Sequence, residues 1–289
     1  MWEEEVKLDT LYDFDYSLYR ISFDPLASVQ LKERKISIPF VIGEEKHIIY
    51  VQAIGTTNQP RFIVKSKDIR RKEEILDYIF DLFQWKKDLT NIFNHFVGTN
   101  LASLFDQYPG TPIVREFDLY YSLMKTIIHQ QLNMKFAYVL STRFIECYGK
   151  KIDGVWFYPT PEEIGTIKVE DLRELQFSGR KAEYVIDTSR LIADGKLDLK
   201  NLREKDDDEI LTELIKIRGI GQWTAENWLM FGLGREDHFP KADIGIQNAV
   251  KGFLGMDRKP SKEELEKISQ EWHPYRSYAS LTLWRSIEE

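Results

Sequence analysis

The sequence predicts an α+β protein: a β-rich N-terminal domain over residues 1–100 with a trailing helix, then a helical region over 101–289. Three observations carry this. Between Lys35 and Lys65, short runs rich in β-branched and aromatic residues are separated by turn-forming clusters. From about residue 100 onward, apolar residues recur at helical spacing and no strand pattern is read. Thr160-Pro161-Glu162-Glu163 and Ser261-Lys262-Glu263-Glu264 are capping boxes, which mark helix starts in that second part.

Taken in order, Lys35–Ile42 alternates apolar and polar residues, and His47–Ile54 and Arg61–Lys65 supply two further strands. Gly43-Glu44-Glu45-Lys46 and Gly55 to Pro60 turn the chain between them, so the three should form an antiparallel sheet. Lys72–Leu89 follows as a helix, with Ile75, Ile79, Leu82 and Phe83 on one face. After the turn-rich Pro109-Gly110-Thr111-Pro112, Leu119, Leu123 and Ile127 form one helical stripe and Phe136, Leu140 and Phe144 another. Gln130-Gln131-Leu132-Asn133 lies between them.

Composition sets limits. With 289 residues, 43% hydrophobic and 13% aromatic, the chain can bury a real core. Its one cysteine, Cys147, makes no disulfide within the chain, no cysteine-based zinc site and no iron–sulfur cluster. The acidic start, Met1-Trp2-Glu3-Glu4-Glu5, lacks a signal peptide's basic and apolar regions, and no apolar run reaches the roughly 18–20 residues a bilayer requires. A soluble, cytoplasmic monomer is expected, with no membrane partner. The net charge of −7 argues against a nucleic-acid partner when averaged over the surface. It does not exclude one, because Lys65–Lys72 is locally basic and backbone N–H groups can grip phosphates without added charge.

The most informative stretch is Leu211 to Val250. An amphipathic helix carrying Leu211, Leu214 and Ile215 is stopped by Gly219-Ile220-Gly221, and a second helix opens at Gln222, Trp223 and Thr224. Glycines there allow a sharp turn and leave room for a phosphate to approach the unpaired N–H groups of the second helix. The same pattern also describes an ordinary helix–helix turn. No Gly-Lys-Ser/Thr follows, and no strand or third glycine makes a dinucleotide motif. About twenty residues on, Phe239-Pro240-Lys241-Ala242-Asp243-Ile244-Gly245-Ile246 places an Asp at the start of another helix.

This hairpin followed by a Pro/Gly-containing loop and an Asp resembles the helix–hairpin–helix DNA glycosylase superfamily. The segment Trp272 to Trp284, together with Ile128–Asn133 and Ser178–Ala182, resembles the bacterial 3-methyladenine DNA glycosylase II family in particular. The resemblance covers residues 100–289 well and the N-terminal strands more loosely. It implies a helix–hairpin–helix core of two subdomains, with the hairpin at about 211–230 and a cleft for damaged double-stranded DNA between them.

Further implications fall on named residues. Asp243 would be the catalytic carboxylate, stabilising positive charge on the sugar of an everted nucleotide and orienting water; it also suits a plain N-cap. An alkylated purine is already cationic and leaves without a second acid, so one carboxylate suffices. Trp223 and Trp284 would stack on the base, although an arbitrary Trp is more often core, as expected for Trp156, Trp228 and Trp272. Trp223 also stands where bifunctional relatives carry a Schiff-base lysine, so strand cleavage through that position is excluded. Gln131 and then Leu132 would fill the gap left by the base. Gly219, Gly221, Gln222, Thr224, Gly179, Arg180 and Lys181 would contact DNA, the last three being equally readable as a solvated helix end. Asn227 departs from an aromatic in the best-matching relatives and leaves the third wall of the pocket open. No cofactor is required; a structural monovalent cation on the carbonyls of Ile217 and Ile220 comes from the resemblance only. Rival readings are a non-catalytic hairpin DNA-binding protein and a glycosylase for oxidised purines.

Overall fold

The computed structural model describes residues 1–288. Five antiparallel strands, β1 (Trp2–Lys7), β2 (Ser28–Gln30), β3 (Lys35–Ile42), β4 (Glu45–Ala53) and β5 (Arg61–Ser66), form one sheet in the order β1-β5-β4-β3-β2. The three runs read from the sequence are β3, β4 and β5. Strand β1 was hidden by its charge: only Trp2 and Val6 are buried, and Glu3, Glu4 and Glu5 lie between them. Two of those glutamates answer cations across the strand pair, Glu3 with Lys65 at 2.6 Å and Glu5 with Arg61 at 2.6 Å, and Glu4 pairs with Lys72 at 2.8 Å. Strand β2 pairs only Ser28–Gln30 with Lys35–Ser37. Pro39 lies beyond that pairing, at a position where β3 is an edge and needs no N–H donor.

Two expectations are corrected. The helix expected over Lys72–Leu89 ends at Leu82; Gln84 takes a left-handed φ of +55°, and a new helix, Leu89–Phe96, starts behind the cap Asp88. The face of Ile75, Ile79, Leu82 and Phe83 is buried all the same. The second half is not strand-free either: β6 (Lys150–Ile152) and β7 (Val155–Phe157) make a small hairpin. Asp153 and Gly154 both have positive φ, 47° and 84°, the geometry that a two-residue hairpin turn demands. An Asp-Gly pair with Ile152, Val155 and Phe157 around it is a strand signal that the surrounding helical periodicity masks.

Both helical stripes form as expected, in Leu119–His129 and Met134–Tyr148. Thr160 and Ser261 make the two capping boxes. The packing, however, follows a different division from the change of secondary structure. One core joins the sheet residues Ile36, Ile49, Val51, Phe62 and Val64 to the C-terminal Phe239, Ile246, Val250, Trp272 and Leu283. The other holds the helices between Tyr120 and Leu233, around Leu123, Ile127, Phe144, Val185 and Trp228. Trp228 and Trp272 are core anchors whose N–H groups are satisfied internally, by Leu119 O at 3.1 Å and Asn100 Oδ1 at 2.9 Å. The C-terminal helices thus return to the N-terminal body, and a cleft opens between the two cores.

Candidate active site

The cleft has a volume of about 1120 Å³ and is lined from both sides. One core contributes Arg20, Phe231, Asp243, Gly245 and Trp284; the other contributes Lys125, Gln131, Leu132, Gly219, Gly221 and Trp223. Residues far apart in sequence therefore face one space.

Asp243 is the N-cap of helix Ile244–Phe253, and its Oδ1 accepts from Ile246 N at 2.9 Å. Two further donors converge on the same carboxylate: Trp284 Nε1 on Oδ1 at 3.1 Å and Trp223 Nε1 on Oδ2 at 3.1 Å. The cap and the cleft-facing roles thus coexist in one side chain. The three N–H groups hold the carboxylate by charge-assisted bonds while no Lys, Arg or His forms an ion pair with it among the described residues. Gly245 makes the arrangement feasible, because a Cβ there would lie 2.9 Å from Asp243 Oδ1 and 3.0 Å from Trp284 Nε1. The two indoles expected as flat walls present their edges to the acid. Trp284 additionally leans on Phe231, with ring centroids 6.0 Å apart.

The hairpin runs from helix Asp207–Leu214 through Gly219 and Gly221 into helix Gln222–Asn227, which continues as a π-helical turn, Trp228–Gly232. Its two glycines are there for different reasons. Gly219 has φ +94°, and a Cβ would fall 2.2 Å from Tyr184 Cγ, so the fold itself requires glycine. Gly221 has an ordinary φ of −100°, and a Cβ on it would meet nothing within 4 Å. Gln222 is exposed and donates to Glu226 Oε1 at 2.8 Å. Thr224 is turned inward: it is buried, and its hydroxyl accepts from Gln130 Nε2 at 2.7 Å. Its side chain cannot reach a phosphate, which leaves only its backbone for such a contact. Ile217 O already accepts the Ile220 N–H at 3.0 Å, and an oxygen with two lone pairs retains one for a cation.

Gly179 and Arg180 open helix Gly179–Ala193 behind the cap Ser178, Arg180 exposed and a Cβ at Gly179 facing open space. Lys181 instead directs its ammonium inward, to Ile127 O and Gln130 O, each at 3.0 Å. Gln131 is exposed on the cleft at φ +55°, next to the half-buried Leu132. Asn227 lines the cleft and donates from Nδ2 to Trp223 O at 2.8 Å, a local bond that steadies the helix.

Several lining residues carried no sequence signal. Arg20, from helix Phe14–Ile21, places its guanidinium 4.9 Å from the Phe231 ring centroid and 5.7 Å from that of Trp284. It also pairs with Glu288 at 3.3 Å. Lys125 lies between Glu116 at 3.0 Å and Asp24 at 3.3 Å. Burial by itself would lower the Lys125 pKa, but the two carboxylates outweigh it and hold the amine well above its ordinary value. His129 is pushed down to about 3 by burial first, then by Lys125 and Lys181, so it is neutral, its Nε2 2.7 Å from Ser141 Oγ. It is not a candidate acid. Nothing in the spacing of Arg20, Trp284 and Glu288 announces their meeting; the return of the C-terminal helices onto the N-terminal body creates it.

Residues 124–274 match the HhH-GPD superfamily of base excision DNA repair proteins. YfjP of Bacillus subtilis (strain 168), provisionally named a DNA-3-methyladenine glycosylase, is 48% identical over 289 residues, covering 100% of both chains. A second protein of that strain, DNA-3-methyladenine glycosylase, is 31% identical over 266 residues, covering 89% of this chain and 88% of its own. Among solved structures, the 3-methyladenine DNA-glycosylase from Archaeoglobus fulgidus superposes with a TM-score of 0.86, covering 100% of this chain and 98% of its own. At 20% identity that likeness speaks for the fold only. A hairpin beside an N-capping aspartate, in a cleft between the two cores, is thus found where the superfamily match and the relatives agree: the chain belongs to the HhH-GPD superfamily of base excision DNA repair proteins.

Proposed function

We propose that this protein is a monofunctional DNA glycosylase that hydrolyses the N-glycosidic bond of alkylated purines, 3-methyladenine and related bases, in duplex DNA. The observation that carries the reading is Asp243: a carboxylate with no ion-pair partner among the described residues, held by three N–H groups in a cleft large enough for an everted nucleotide. As the base departs, positive charge builds on the sugar, and a fixed anion beside it stabilises that state more than the ground state. The cationic leaving group needs no second acid. Eversion costs a few kcal/mol, which Gln131 and Leu132 would offset by filling the stack, while Gly219, Gly221, Gln222, Gly179 and Arg180 would hold phosphates. A monovalent cation on Ile217 and Ile220 would serve as structure only, and the reaction itself needs no cofactor. The relatives' named activity supports the same substrate class.

Lyase chemistry needs a neutral amine. The residue after Gly219-Ile220-Gly221-Gln222 is Trp223, and the lysine lining the cleft, Lys125, is kept protonated by Glu116 and Asp24. The test is incubation with methylated duplex. Free alkylpurine should appear, strands should break only after hot alkali, and borohydride should trap no covalent complex. Strand breaks without alkali, or a trapped adduct, contradict the monofunctional reading; release of oxidised guanine in place of alkylpurine contradicts the substrate class.

Arg20 bears on which bases are preferred. Its cation lies over the aromatic faces of Phe231 and Trp284, where a cationic base would gain about 0.5–2 kcal/mol. Arg20→Gln is therefore expected to raise kcat/KM for 7-methylguanine by between about two- and thirtyfold relative to neutral hypoxanthine. Single-turnover rates on the two substrates check this, and an equal change for both contradicts it.

A further inference from the structure

The turn Gln130–Asn133 joins two buried helices, yet it must present Gln131 and Leu132 to the cleft in a fixed pose. Gln131 holds a left-handed φ of +55°, a conformation that non-glycine residues keep only when their surroundings impose it. Two contacts do so. From behind, Lys181 Nζ bonds Ile127 O, a carbonyl left at the negative end of helix Leu119–His129, and Gln130 O in the turn itself, both at 3.0 Å. From the front, Gln130 Nε2 donates to Gly219 O at 2.8 Å and to Thr224 Oγ1 at 2.7 Å, within the glycine hairpin. A continuous chain of hydrogen bonds therefore runs from Lys181 through the turn to the hairpin.

We propose that Lys181 is a positioning residue for base eversion, its ammonium clamping the Gln130–Asn133 turn so that Gln131 and Leu132 enter the duplex in register with the hairpin. The inference rests on the glycosylase reading and changes the role of a residue that the sequence presents as a phosphate contact. No carboxylate lies within ion-pair distance of Lys181 among the described residues. Burial brings its pKa down to about 8, which leaves it charged at neutral pH. The titratable group facing it from the neighbouring helix, His129, is neutral, and Glu183 on its own helix is engaged by Arg218. The ammonium is thus free to serve the two carbonyls.

The test compares Lys181→Met with the wild type on two substrates under single-turnover conditions. In one, the alkylated base is paired in duplex; in the other, it lies in an unpaired bulge, where eversion has no base pair to break and costs least. Losing two charge-assisted bonds should slow release from the paired substrate by about ten- to hundredfold and leave the bulge within about threefold. Lys181→Arg, which keeps the cation, should recover part of the paired rate. Equal losses on both substrates, or no loss on either, overturn the proposal. A wild type that releases no base from either substrate overturns the glycosylase reading and this inference with it.

Discussion

Asp243→Asn is expected to lower base release by about 10²- to 10⁴-fold while leaving affinity for undamaged duplex unchanged. Asn is a good N-cap, so the helix Ile244–Phe253 should persist. The amide nevertheless cannot replace the carboxylate. With its oxygen serving Ile246 N and Trp284 Nε1, its NH₂ faces the Trp223 N–H, donor against donor. An unsatisfied buried donor costs about 1–3 kcal/mol, so a modest fall in thermal midpoint should accompany the kinetic loss. Release of free alkylpurine from methylated duplex, set beside a melting curve, measures both. Retained activity contradicts the assignment of Asp243.

The second large effect divides the two hairpin glycines. Gly219→Ala puts a Cβ into the Tyr184 ring and forces alanine to φ +94°. The left-handed backbone costs roughly 1–2 kcal/mol and the overpacking roughly 1–3 kcal/mol, so the melting midpoint should drop by roughly 3–8 °C. Gly221→Ala meets no protein atom within 4 Å and keeps an allowed φ, so stability should hold. Its methyl would instead project where a phosphate is expected, and duplex affinity should fall by about tenfold or more. Melting curves and a duplex titration on the two variants give the check. A stable Gly219→Ala, or a Gly221→Ala that binds duplex normally, contradicts the division.

How much of this was legible depended on the range of the signal. Strands β3, β4 and β5 declared themselves because alternation and turn residues are local. Strand β1 did not, since Glu3–Glu5 look like solvated charge until their partners Lys65 and Arg61 are known. The Asp153-Gly154 hairpin was legible in principle and was overridden by the helical pattern on either side. At the site, Asp243 and the hairpin were found because each belongs to a contiguous motif. The roles within the motifs were less visible. Trp223 and Trp284 line the cleft as expected, and the sequence did not show that their N–H edges also hold Asp243, with Gly245 letting Trp284 approach. Thr224 and Lys181, expected to contact DNA, direct their side chains to the segment Ile127–Gln130 next to Gln131, contacts that no local motif announces. Arg20 and Lys125 were invisible, since only the folding of the C-terminal helices onto the N-terminal body brings Arg20 beside Trp284.

The central claim is that the anion at Asp243 stabilises positive charge on the sugar of an everted nucleotide. The most direct measurement is binding to duplex carrying a cationic pyrrolidine abasic analogue, compared with a neutral tetrahydrofuran analogue. The wild type should bind the cationic duplex at least about tenfold more tightly, and Asp243→Asn should bind the two alike. An undiminished preference in Asp243→Asn would place the stabilising charge on another residue.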